Sequence, residues 1–138
     1  MSTRKTWEEY ALLLAQSASS RSEDPYNKVG ACALGYNNRV LGVAYNGLVS
    51  GKKVSRSFWQ DRDSRRPYII HAEQNILSLF KRGEARLLAC TLLPCSDCAR
   101  LISSWEIPLV CYIDDYQRDS GALDIFKFYN VKLKKIKL

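Results

Sequence analysis

Apolar and polar positions along the 138-residue chain change rhythm several times, and each change marks an element. Thr6-Trp7-Glu8-Glu9 has the form of a capping box, and Trp7, Tyr10, Ala11 and Leu14 then recur at helical spacing, which predicts a first helix running to about Ser20. Pro25 and Asn27 mark Arg21–Lys28 as a loop. Val29–Leu34 and Arg39–Tyr45 read as two strands of an antiparallel hairpin joined by the turn Gly35-Tyr36-Asn37-Asn38. From Asn46 to Ile69 no period holds, and irregular stretches of that length are usually functional or partly disordered. Helix and strand patterns alternate thereafter. A helix from near His71 to before Gly83 precedes a strand at Leu87–Leu92, a helix at Cys95–Trp105 and a strand at Leu109–Ile113, and a helix at Ser120–Tyr129 leads to a strand at Val131–Ile136. Returns through a helix make the last three strands parallel neighbours with right-handed crossovers. The expected architecture is α/β: a three-layer α/β/α sandwich around a mixed five-stranded sheet, built as one domain over residues 1–138.

Hydrophobic residues make up 46% of the chain, enough for one buried core. The five cysteines are odd in number, which argues against a secreted disulfide framework and for a reducing, cytoplasmic setting. The polar start leads directly into the first helix and no apolar run approaches bilayer-spanning length, so neither a signal peptide nor a membrane span is expected. A net charge of +7 points to polyanionic company, either nucleic acid or phosphorylated small molecules. Lys52, Lys53, Arg56, Arg62, Arg65 and Arg66 crowd the segment Gly51–Pro67, partly balanced by Asp61 and Asp63. Lys132, Lys134, Lys135 and Lys137 interleave with Val131, Leu133 and Ile136 near the end. That second pattern fits an edge strand guarded by lysines against pairing with other chains, with nucleic-acid contact as the alternative.

Candidate chemistry is concentrated in His71-Ala72-Glu73 and Pro94-Cys95-Ser96-Asp97-Cys98. His71, Cys95 and Cys98 supply three zinc ligands and leave a tetrahedral ion one open position for water, whose pKa the metal lowers toward neutrality. Glu73 is then the proton carrier. Residues two apart in a regular helix point to different sides, so His71 and Glu73 must sit at a helix mouth. Pro94 suits the first turn of the following helix, whose positive end favours cysteine thiolates. A structural zinc knuckle would need a fourth side chain and no neighbouring acid. Candidates are few: His71 is the only histidine, and Cys32, Cys90 and Cys111 fall in apolar runs where cysteine is a small hydrophobe. The H-x-E…P-C-x-x-C arrangement is an established signature of zinc-dependent nucleobase deaminases.

With these motifs, Arg21-Ser22, Val29-Gly30-Ala31, Tyr45-Asn46-Gly47, Asn75 and Tyr116 make the chain resemble the deoxycytidylate (dCMP) deaminases of the cytidine deaminase superfamily over nearly its whole length. The resemblance implies the cytidine deaminase fold and hydrolysis of dCMP to dUMP and ammonia, with one catalytic Zn2+ per chain. It also implies substrate contacts: Arg21 and Ser22 to the monophosphate, backbone around Gly30 and Ala31 to the cytosine edge, Asn46 to a sugar hydroxyl or phosphate, and Ala72, Pro94 and Tyr116 around the nucleotide. For Arg21 the alternative is a solvated helix-end cation, and for Tyr116 core packing. Such enzymes are often homo-hexamers activated by dCTP with Mg2+ and inhibited by dTTP. The resemblance places effector contacts at Tyr45, Asn46 and Gly47 and makes Arg82 a candidate effector or subunit-interface residue, unless it is merely a helix C-terminal cation. Here the chain departs from the family pattern, with Ala44 for a glycine and Leu48-Val49 for methionine-proline.

Two rival readings share parts of the pattern. A polynucleotide deaminase acting on tRNA or single-stranded DNA would use the same zinc chemistry with Arg56-Ser57-Phe58-Trp59 tracking phosphates and stacking bases, and a bifunctional dCMP/dCTP deaminase is a nearer variant. A deaminase-like binding module is opposed by Glu73, which binding alone does not require.

Overall fold

The computed structural model describes residues 3–138. Its elements are α1 (Trp7–Ser19), β1 (Gly30–Gly35), β2 (Val40–Tyr45), a short α2 (Arg62–Arg65), α3 (Ala72–Leu77), β3 (Ala85–Leu92), α4 (Ser96–Ser104), β4 (Leu109–Asp114), α5 (Ala122–Phe128) and β5 (Lys132–Lys135). The strands form one mixed sheet in the order β2-β1-β3-β4-β5. β1 pairs antiparallel with β2 and β3, while β3, β4 and β5 run parallel, as the alternation of helices and strands requires. The lysine-rich β5 is an edge strand.

The local chemistry explains the boundaries. The capping box at α1 is closed on both sides, Glu9 N–H donating to Thr6 Oγ1 and Thr6 N–H to Glu9 Oε1. The β1–β2 turn has Asn38 at φ 62°, a left-handed position that asparagine tolerates. Side chains along the strands alternate between two cores. Cys32, Leu34, Leu87, Ala89 and Cys111 meet Ala11, Leu12 and Ala15 of α1. Ala31, Ala33, Leu88, Cys90, Val110 and Tyr112 point the other way, toward Ile76 of α3, Ile102 of α4 and Phe126 of α5. Both crossovers advance in one direction across the sheet and put their helices on the same face, as crossovers of one hand must. The outcome is the three-layer sandwich, with α1 alone on its side.

Several details differ from the sequence reading. α3 stops at Leu77, where Ser78 donates its hydroxyl to the Asn75 carbonyl (2.6 Å) and Leu79 N–H tightens onto Ile76 O (2.9 Å). Pro94 lies outside α4. Cys95 is the N-cap, its Sγ accepting from Cys98 N–H at 3.5 Å, so the proline is buried just ahead of the helix instead of in its first turn. The irregular segment 46–69 carries two 3-10 turns, Arg56–Trp59 and Arg66–Tyr68, on either side of α2. Phe58 packs edge-on to Trp59 (5.1 Å) and against Tyr68 (6.2 Å), and Gly47 and Ile70 exchange two backbone hydrogen bonds that close the segment at its base. No helix among the described residues is long and apolar enough to cross a membrane.

Candidate active site

His71 is the N-cap of α3 and Cys95 the N-cap of α4, so two helix mouths meet beyond the carboxyl end of β3. Cys98 lies one turn into α4, and His71 N–H is held by Gln74 Oε1 at 2.8 Å. His71 Nδ1 lies 3.6 Å from Cys95 Sγ and 3.3 Å from Cys98 Sγ, and the three donor atoms all fall within 4.8 Å of one another. Tetrahedral bonds of about 2.0–2.1 Å to nitrogen and about 2.3 Å to sulfur space such donors roughly 3.6 Å apart, so the set fits zinc. Two sulfurs and one imidazole are a zinc donor set, and among the described residues no fourth His, Cys, Asp or Glu joins them. That matches a catalytic centre with one exchangeable position.

The electrostatics favour metal capture. The Cys95 thiol is drawn down to about 4, chiefly by the hydrogen bond from Cys98, with burial opposing and His71 adding to the fall. The same pairing, with burial, pushes the Cys98 thiol up, and the bond to Cys95 raises His71. A thiolate at Cys95 is a ready ligand. Glu73, two residues beyond His71, is only 4% exposed, and burial pushes its carboxyl up to about 7. A carboxyl poised there can both accept and return a proton near neutral pH.

His71, Ala72, Glu73 and Cys95 line one cavity of about 840 Å3, a size suited to a small ligand. Val29, Ile69, Leu92 and Leu93 give it apolar walls, and Arg62, Arg65, Arg66 and Arg118 bring cations. The loop after β4, carrying Tyr116 and Arg118, is tied to the mouth of α4 by Asp119, whose carboxylate accepts from Ser96 N–H (2.7 Å), Ser96 Oγ (2.7 Å) and Gly121 N–H (2.9 Å).

A family model, the cytidine and deoxycytidylate deaminase zinc-binding region, matches residues 5–114. The chain belongs to this family. Deoxycytidylate deaminases of Mus musculus and Homo sapiens are each 32% identical to it over 142 residues, covering 94% of this chain and 79% of theirs. Among solved structures, the dCMP deaminase of cyanophage S-TIM5 in apo form superposes with a TM-score of 0.77 at 25% identity, covering 94% of this chain and 96% of that one. The same phage enzyme in complex with dCMP and dUMP superposes with a TM-score of 0.73 at 26% identity, covering 94% and 93%.

Within this deaminase-family cavity the expected residues separate into groups. Ala72, Asn46 and Tyr116 line it. The Asn46 side chain also has structural bonds, Oδ1 accepting from Val29 N–H (2.9 Å) and Nδ2 donating to Asn27 O (2.8 Å), which hold the loop before β1 against the cavity. Gly30 and Ala31 are not among the residues that line it. Gly30 lacks a Cβ because α1 lies against it: an added Cβ would sit 1.8 Å from the Ala15 carbonyl oxygen. Its N–H is donated to Thr91 Oγ1 (3.0 Å) and not toward a base. Pro94 is fully buried and stands outside the lining. Ser22 is also buried, its hydroxyl donating to Asn46 O (3.0 Å) and accepting from Asp24 N–H (3.3 Å). Arg21 opens onto a second depression of about 700 Å3 that Tyr45, Asn46, Gly47, Lys52 and Asn75 share. Arg82 lies over the Trp105 ring (6.0 Å) and lines neither cavity. Asp119 and Arg118 join the cavity without a signal in the sequence beyond the helix expected from Ser120.

Proposed function

We propose that the chain catalyses the hydrolytic deamination of dCMP to dUMP and ammonia, with one Zn2+ held by His71, Cys95 and Cys98. The observation that carries this reading is the buried carboxyl of Glu73 in the same cavity as His71 and Cys95 of the three-donor cluster, since neither a structural metal nor a binding module needs a proton carrier there. When bound, zinc supplies the Lewis acidity that makes hydroxide available from water near neutral pH. Glu73 takes the proton from the attacking water and places it on the ring nitrogen beside the reacting carbon. A carbon–oxygen bond forms, the carbon–nitrogen bond breaks, and Glu73 passes a proton to the departing amine. One carboxyl serves both transfers.

A mononucleotide substrate is supported by similarity to the mammalian deoxycytidylate deaminases and to the phage enzyme seen with dCMP and dUMP, and by the arginines lining the cavity. We extend the proposal to regulation by dCTP with Mg2+ as activator and dTTP as inhibitor, acting at the depression around Tyr45, Asn46 and Gly47. Asn75 of α3 donates to the Tyr45 carbonyl (2.9 Å), which joins that depression to the helix carrying Glu73. Val43, Val49 and Leu79 are exposed around it, a patch suited to burial in a homo-hexamer. A cytoplasmic setting accords with five unpaired cysteines.

The test is ammonia release by zinc-loaded protein on equimolar dCMP, deoxycytidine, dCTP and a cytosine-containing oligonucleotide, each with and without dCTP plus Mg2+ as effector. Turnover dominated by dCMP and sharpened by dCTP is expected. Turnover of the oligonucleotide without turnover of dCMP overturns the substrate assignment and leaves the zinc chemistry in place.

A further inference from the structure

We propose that Arg65 reads the 5′-phosphate of the bound nucleotide and thereby makes this site prefer a phosphomonoester to a free nucleoside. The proposal rests on the deaminase reading above and moves the phosphate contact away from Arg21 and Ser22.

Arg65 closes α2. Asp61 caps that turn by accepting from Asp63 N–H (3.2 Å), and Arg65 N–H donates to the Asp61 carbonyl (3.1 Å), which turns the Arg65 side chain inward. It is 6% exposed, the only arginine among the described residues that is buried. Nη1 donates to the Trp59 carbonyl at 2.7 Å, and the guanidinium lies 4.8 Å over the Tyr26 ring. The plane of the fork is therefore fixed before any ligand arrives.

What Arg65 lacks is a counter-ion. The ion pairs found among the described residues are Arg62–Asp63, Arg100–Asp97 and Lys135–Asp115, and no carboxylate lies within ion-pair distance of Arg65. The aspartates lining the cavity all have other donors: Asp24 accepts from Tyr26 and Asn27 N–H, Asp63 faces Arg62, Asp97 pairs with Arg100, and Asp119 holds Ser96 and Gly121. A guanidinium carries five donors, and a buried charge without an opposite charge is unfavourable. Arg65 opens on the same cavity as His71, Glu73 and Cys95, so the missing anion belongs to whatever fills that cavity. A phosphomonoester, with its terminal oxygens free, matches a pre-oriented fork. Arg21 is exposed and opens onto the other depression, not onto the cavity that Glu73 lines.

The test compares the parent with R65Q, which keeps an amide donor for the Trp59 carbonyl, and R65K, which keeps the charge without the fork. Steady-state kinetics on dCMP and deoxycytidine are paired with calorimetric titration of inorganic phosphate into the zinc-loaded proteins. R65Q should lower kcat/KM for dCMP by about 100-fold, mainly through KM, and R65K by about 10-fold, each a far larger fall than on deoxycytidine, with phosphate binding weakened in step. An equal fall on both substrates, or unchanged dCMP kinetics in R65K, overturns the assignment. So does a loss confined to binding of a cytosine oligonucleotide lacking a terminal phosphate, which would make Arg65 a reader of phosphodiesters. A parent that ignores dCMP but binds phosphate through Arg65 would defeat the substrate reading while leaving this one standing.

Discussion

Asp119, in the loop after β4, accepts two hydrogen bonds from Ser96 at the mouth of α4, one from the backbone nitrogen and one from the hydroxyl, each 2.7 Å. Ser96 follows directly on Cys95, so one carboxylate couples the loop that carries Tyr116 and Arg118 to the helix mouth where Cys95 and Cys98 lie. Asp119 also accepts from Gly121 N–H, which sets the entry to α5.

The Ser96 backbone bond, then its hydroxyl and Gly121, hold Asp119 below the usual carboxylate range. A depressed pKa contributes stability that is present above the unfolded value of about 3.9 and is lost as pH falls through the folded value. D119A should therefore melt several degrees below the parent at neutral pH, with the gap narrowing below about pH 4, and should raise KM for dCMP more than it lowers kcat. Differential scanning calorimetry across pH checks the first part. A gap independent of pH would show that the lost contact is not the ionised one.

Glu73→Gln preserves shape and removes the transferable proton. Zinc content and nucleotide binding should persist while turnover falls by about 1,000-fold or more. Metal analysis beside single-turnover kinetics checks this, and near-parental rates in E73Q would assign the proton transfers elsewhere.

Gly30→Ala tests the packing that aims the cavity wall. Its Cβ would meet backbone atoms of α1, the Ala15 carbonyl oxygen above all, so no side-chain rotation relieves the clash. Destabilisation of about 3 kcal/mol or more is expected, read as a lowered urea midpoint. Tolerance of alanine would mean that α1 moves freely over β1.

Cys95→Ala should lose zinc and become insensitive to chelators, whereas Cys90→Ala, in a buried strand position, should keep zinc at one per chain and lose only packing energy. Elemental analysis of both variants decides it, and zinc retained by C95A would contradict the ligand set.

The legible parts of this protein are those governed by local rules. Thr6 with Glu9 and the apolar run Ala31–Leu34 each state their element within a few residues, and the structure forms the capped helix and the strand expected of them, while the His71 and Cys95–Cys98 spacings bring three donor atoms together. Long-range packing was not readable. The close approach of the Ala15 carbonyl to Gly30, from a helix that a loop separates from β1, has no signal in the sequence. Segment 46–69 has no period because Phe58 organises it through ring contacts to Trp59 and Tyr68 and not through a repeating face. Arg65 looked like one cation among several, since nothing in sequence distinguishes a buried arginine from its exposed neighbour Arg66. Pro94 suits a first helical turn by sequence, yet it precedes the cap because Cys95 takes that position with its Sγ on Cys98 N–H.

The most direct test of the central claim is a titration of metal-free protein with Zn2+, following dUMP formation from dCMP. Activity should rise linearly and break at one zinc per chain, in line with the three donors of His71, Cys95 and Cys98. Activity in the metal-free protein, or a chain with one zinc bound that leaves dCMP untouched, would contradict the account.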